Sequence, residues 1–300
     1  MRRVTLGFNI EDSAKSLETM LRCFERDGGA KLKPMESEFP EDLEIDLSDS
    51  GFIGPLAVAS LCLLRRVADA CGSRLSLLPP RLERLEHYCS YSGLSKEFGV
   101  GGDPDTTHPR NVTRPVEWFS DAVPRLEIDR FVALARTKMH LSNTGETDLK
   151  LALSEVEQNV IDHSESPFGG LMSARAFAEK KEVRFAVADA GVGFHRGLLK
   201  RVETEDDRDA LRVVFNEKIS SRSRPHNRGQ GLQHLAGIVE ITGGRLIVYS
   251  GDAFVNWGRN QPRRFCRAGV AFPGTVVFVS LPIREDDAED VAMAGSFWDG

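Results

Sequence analysis

Residues 147–163 read TDLKLALSEVEQNVIDH, and the spacing inside that stretch decides how the second half of the chain is read. Glu155, Asn159 and His163 recur every four residues, which at 3.6 residues per turn places them on one polar stripe of a helix. Leu149, Leu153, Val156 and Val160 form an apolar stripe beside it. One face of such a helix packs while an acid, an amide and an imidazole project together. A carboxylate can polarise a water or a hydroxyl, and an amide oxygen is a hard ligand suited to Mg²⁺. The solvated face of a surface helix has the same pattern, so flanking stretches must discriminate.

Three further stretches follow in order. Val187–Phe194 reads VADAGVGF, a strand that ends at Asp189 and runs into Gly191 and Gly193. Glycines let backbone approach a ligand, and a carboxylate at a strand end can accept from an amino group. The glycine spacing is one residue too wide for G-x-G-x-x-G, and no G-x-x-x-x-G-K-[ST] string occurs. Asn227–Leu235 reads NRGQGLQHL: Gly229 and Gly231 precede a helix, whose free N–H groups and dipole favour phosphate, with Arg228 beside them. Gly274–Pro282 reads GTVVFVSLP, a strand opened by Thr275, whose hydroxyl could meet a ligand edge.

In this order the four stretches resemble the N, G1, G2 and last-strand motifs of the GHKL superfamily, the ATPase fold of gyrase and the histidine kinases. The resemblance covers about residues 126–284. It implies an α/β sandwich with a mixed sheet (the Bergerat fold) that binds ATP and Mg²⁺ between a helical layer and a movable lid at about 194–228. By motif position it implies Glu155 as general base and Asn159 as Mg²⁺ ligand. Asp189 would take the adenine amino group, and Thr275 would support the adenine edge. His163, Gly191, Gly193, Arg228, Gly229, Gly231 and Leu232 would line the nucleotide. Asp162 stands where many relatives carry a basic or small residue, and is expected to face away or into solvent.

Within the superfamily, His140 in TKMHLSN lacks the acidic and arginine neighbours of a phosphoacceptor histidine, which disfavours a histidine kinase. The short stretch after the last strand disfavours a gyrase-type ATPase with a transducer domain. The compact remainder looks most like the anti-sigma-factor serine kinases. That resemblance implies a protein kinase acting on a regulatory partner, a STAS antagonist or a sigma-like factor, and allows a homodimer. The alternatives are an ATP-dependent conformational switch that transfers no phosphate, or an interaction module that keeps the ATPase fold as a scaffold.

The first half alternates strand-like and helix-like patterns: LEIDL at 43–47, an amphipathic helix over Pro55–Ala70, a strand over Arg74–Leu78, then a helix from about Leu82. The stretch from Leu43 to Leu78 resembles a STAS domain. The D-S-x-G phosphoacceptor motif is replaced by Phe52–Ile53–Gly54–Pro55, with Ser48 and Ser50 upstream, so the switch serine is missing. The expected organisation is a STAS-like α/β domain at 1–98, a linker at 99–123, the GHKL domain at 124–285 and a disordered tail at 286–300. In the second half, helices are expected at 126–141 and from Thr147, after a break at SNTGET, with further helices at 203–218 and from Gly231. Strands are expected at 171–178, 183–188, 246–250 and 275–281, and a Gly/Arg-rich excursion spans 251–274.

Bulk properties agree with a cytoplasmic regulator. With 300 residues, two domains are the prior. A net charge of −6 disfavours general nucleic-acid binding, and the Arg263, Arg264, Arg267 cluster reads as solvated surface. The five cysteines are scattered and never spaced C-x-x-C, so neither a disulfide framework nor a structural zinc site follows. The N-terminus has no apolar stretch long enough for a signal peptide, and no run approaches a membrane span.

Overall fold

The strand Thr275–Pro282 carries TVVFVSLP, an apolar run with no polar alternation, and such runs belong to strands covered on both faces. The computed structural model, which describes residues 1–101, 113–120, 125–198, 202–216, 231–258 and 261–283, bears this out. The chain is mixed α/β and holds two sheets.

The first sheet is parallel. Strands β1 (Arg2–Thr5), β2 (Leu43–Asp46) and β3 (Leu75–Leu78) lie in that order. The crossovers are α1 (Ala14–Arg26) and α2 (Pro55–Ala70). Ser13 caps α1 by accepting from Ser16 N–H at 3.1 Å, and Pro55 at the first turn suits the start of α2. Helix α2 matches its sequence reading residue for residue. Helices α3 (Glu83–Tyr91) and α4 (Leu94–Glu97) follow.

The second sheet joins β4 (Thr113–Phe119), β5 (Gly170–Phe177), β6 (Glu182–Asp189), β7 (Arg245–Ser250), β8 (Ala253–Gly258), β9 (Gln261–Arg267) and β10 (Thr275–Pro282), in the order β4-β5-β6-β10-β7-β8-β9. It was expected to be mixed; every pairing is antiparallel. The reason is topological. Strands β6 and β7 run the same way, but β10 lies between them and is antiparallel to both.

The period of two sends alternate residues of this sheet into two cores. Val276 and Phe278 of β10 join Ala186, Ala188, Ile247 and Tyr249 in a core shared with α1 and α2. Val277 and Val279 join Phe185, Val187, Leu246 and Val248 on the opposite face. That face is covered by α5 (Arg125–Met139), α6 (Asn143–His163) and α9 (Gly231–Thr242). Helix α2 is therefore covered by both sheets, which explains why residues 55–64 are all buried.

Asp12 crosses between the two halves. Its carboxylate accepts from Leu56 N–H at 3.0 Å at the start of α2, and from Arg184 Nη1 of β6 at 3.0 Å. Arg245 of β7 donates to the Asp12 carbonyl.

Several elements differ from their sequence reading. Thr113–Phe119 falls in the stretch read as linker, yet pairs with β5 through a register shift between Arg114 and Glu117. Helix α6 starts at Asn143, because Ser142 caps it by accepting from Gly145 N–H at 3.0 Å; SNTGET opens the helix rather than breaking the chain. The 251–274 excursion contains the β8–β9 hairpin. The lid region contributes α7 (Gly193–Leu198) and α8 (Asp207–Asn216). Arg228, Gly229, the loop 220–228, most of the linker and the 286–300 tail lie outside the described residues. Among the described residues no helix is long and apolar enough to cross a membrane.

Candidate functional site

The expected apolar stripe of α6 is buried: Leu149, Leu153, Val156 and Val160 pack on the sheet. The polar stripe is thereby turned along the edge of the helical layer. Beside it opens a cavity of about 290 Å³, close to the lower end for small-molecule pockets. Asn159 and His163 line it from α6, Asp189 from the end of β6, Gly193 from α7, Leu232 from α9 and Thr275 from β10. Six of the residues singled out in the sequence thus meet in one place, drawn from five elements. Phe194, Leu198, Val214 and Val277 supply apolar wall.

Asp189 shares the face of Phe185 and Val187, so its side chain turns toward the helical layer. It is buried and accepts from Gly191 N–H at 2.8 Å. Burial pushes its carboxyl up to about 7, against the opposing pull of hydrogen bonds from the Gly191 and Thr275 backbone. The turn after it is tight. A Cβ on Gly191 would lie 2.0 Å from the Ser164 carbonyl, and one on Gly274 would lie 2.1 Å from the Asp189 carbonyl. Gly193 has φ +72, which suits glycine.

Glu155 sits differently. It is not among the lining residues; its Oε2 lies 2.3 Å from where a Cβ on Gly231 would be, and its Oε1 is 3.7 Å from His234 Nδ1. Asn159 is near the same point, and its Nδ2 donates to the Glu155 carbonyl one turn earlier at 2.8 Å. Asp162, expected to face away or into solvent, is exposed yet lines the cavity.

Ser250 escaped the sequence reading. Its buried hydroxyl accepts from Phe194 N–H at 3.0 Å and lies 3.0 Å from Thr275 Oγ1, tying the start of α7 to β10. No spacing signal marks it, because it looks like any strand-end serine. Glu165 and Ser164 of the lining were likewise missed. The arginine cluster of β9 is largely engaged: Arg263 pairs with Glu240 and lies over the Trp257 ring, and Arg267 pairs with Asp206.

The chain matches no protein-family model and no curated protein.

The described lining includes the carboxylates Asp162, Glu165 and Asp189, and neither lysine nor arginine. Among the described residues no group of three or more His, Cys, Asp or Glu side chains could hold a metal ion. That donor set lacks a dedicated metal cage. Asn159, Asp162 and Glu165 of the lining carry oxygen donors, the ligand type that hard cations take.

Proposed function

We propose that this chain is an ATP·Mg²⁺-binding regulatory protein of the anti-sigma serine kinase type, a GHKL domain joined to a STAS-like domain, that phosphorylates or sequesters a protein partner. The observation that supports it most is the single cavity shared by Asn159, His163, Asp189, Gly193, Leu232 and Thr275. Asn159 and His163 share one helical stripe, but Asp189, Leu232 and Thr275 lie far from them in sequence and reach the same cavity only through the fold.

The cavity chemistry fits the nucleotide. A buried acceptor at Asp189 suits an exocyclic amino group, and Phe194, Leu198 and Val277 suit the faces of a base. Asn159 would hold Mg²⁺, and the start of α9 at Gly231 would face the phosphates. ATP would supply the transferable phosphoryl group and the charge that draws in Mg²⁺. Glu155 would orient and deprotonate a partner hydroxyl, so that catalysis is mostly positioning and charge stabilisation.

One observation favours the switch that transfers no phosphate: Glu155 is pressed against Gly231 and does not line the cavity. Labelled ATP and candidate partners separate the two readings. Label on a partner hydroxyl, lost in Glu155→Ala, marks the kinase. Partner binding that depends on ATP without label transfer marks the switch. If ATP·Mg²⁺ neither binds nor raises the melting temperature, both fail.

A further inference from the structure

The first half reaches the cavity as well as the back of the sheet. Residues 31–38 form a short loop closed by an antiparallel bridge between Lys31 and Glu38. Its ends are anchored in the core by Leu32 and Phe39, and its turn is tied by Ser37, which accepts from Lys33 N–H at 3.0 Å and donates to the Lys33 carbonyl at 2.7 Å. The loop is also held at the far end of α2: Cys71 Sγ donates to the Ser37 carbonyl and Ser73 Oγ to the Phe39 carbonyl.

The tip of this loop, Pro34-Met35-Glu36, meets α7. Pro34 Cγ is 3.8 Å from where a Cβ on Gly193 would be. Glu36 forms an ion pair with Arg196, and Lys33 grips the same carboxylate. Between them Met35 holds φ +60, a left-handed conformation rare for a side chain of this size, and such residues persist where the surrounding structure fixes them. Helix α7 in turn supplies Gly193, Phe194, Gly197 and Leu198 to the cavity wall.

We infer that the first half is a built-in regulator of this cavity: the 31–38 loop sets the position of α7 through Pro34–Gly193 and Glu36–Arg196, so displacing the loop changes what the cavity binds. For nucleotide as the ligand, this rests on the ATP reading above. By linkage the effect is mutual, and a ligand that moves α7 moves the loop. The contacts are half-exposed, with Glu36 and Arg196 at 48% and 45% exposure, so the coupling is modest and the substitutions are expected to leave the fold intact.

The test uses the full chain with Glu36→Arg, Arg196→Glu and the two combined. Two quantities are read: amide hydrogen exchange over 193–198 without ligand, and the Kd for ATP·Mg²⁺ by calorimetry. Each single change is expected to speed exchange and weaken ATP·Mg²⁺ binding about two- to fivefold, and the swap to restore both in part, because Lys33 then loses its carboxylate partner at position 36. Unchanged exchange and Kd in both single variants overturn the coupling. If wild type binds no ATP·Mg²⁺ while exchange still responds and is rescued by the swap, the coupling stands and the nucleotide reading falls.

Discussion

Asp189 and Thr275 stand opposite each other across the antiparallel β6–β10 ladder, and both line the same cavity. The pairing puts a carboxyl held near pH 7 by burial at the place proposed for the adenine amino group. An N–H donor favours the ionised form, so binding should lower this pKa and release a proton. At pH 6 the free carboxyl is mostly protonated, and ATP binding is expected to release close to one proton, falling to about none by pH 9. Calorimetry in buffers of different ionisation enthalpy reads this directly. Asp189→Asn should abolish the release and weaken binding at least tenfold; an unchanged release would remove Asp189 from the site.

Gly231 is the next test, because the atom a Cβ would meet is the far end of Glu155. A flexible side chain can give way, so Gly231→Ala should change stability by less than about 1 kcal/mol. Glu155 must move, and Asn159 Nδ2 is only 3.5 Å from the same point. On the kinase reading proposed above, phosphotransfer is expected to fall about tenfold or more while the melting curve is nearly unchanged. Full activity in this variant would show that the Glu155–Gly231 contact has no functional part.

Asp12 tests how the halves are joined. Its carboxylate caps α2 and pairs with Arg184, which keeps Glu182 as a second partner. Asp12→Ala removes a buried charge from a buried pair and a cap from a helix, a loss on the order of 3 kcal/mol. Urea denaturation should find it, and the Asp12→Ala and Arg184→Ala losses should be strongly non-additive. A loss under about 1 kcal/mol, or simple additivity, would mean that the clasp is not a unit.

Much of this was legible in the sequence where one rule dominated. Helix α2 and strand β10 were found because apolar runs with clear stops leave few alternatives. The cavity residues were found because motif order outweighs the weakness of each motif alone. The β8–β9 hairpin was hidden. Ala253, Val255 and Trp257 do alternate inward, but glycines and arginines around them suggest a loop, and the acidic partners of Arg263 and Arg267, Glu240 and Asp206, are distant in sequence. Strand β4 was obscured by Pro115 and its polar neighbours, which an edge strand tolerates. The place of Glu155 was illegible for another reason: helical spacing gives the stripe a residue shares, and packing against α9 decides which cavity its tip reaches.

Glu157 lies two residues from Glu155 on α6. It is buried at 1% exposure, and neither carboxylate oxygen has a hydrogen-bond partner. Arg114 Nη1 stands 3.6 Å from Oε1, within ion-pair range, but it donates to Met172 Sδ, and the Arg114 Nε and Nη2 groups donate to Glu117. Burial pushes the Glu157 carboxyl up to about 7, with Arg114 pulling down and Glu117 pushing up. A raised carboxyl favours the folded state while protonated, so its contribution is lost as pH rises from about 4, the unfolded value, through about 7. Glu157→Gln does not titrate. Its stability relative to wild type should therefore rise by about 2–3 kcal/mol between pH 5 and pH 8, measured by urea denaturation at each pH. A difference independent of pH would mean that Arg114 keeps Glu157 ionised throughout, and that the ion pair outweighs desolvation at this position.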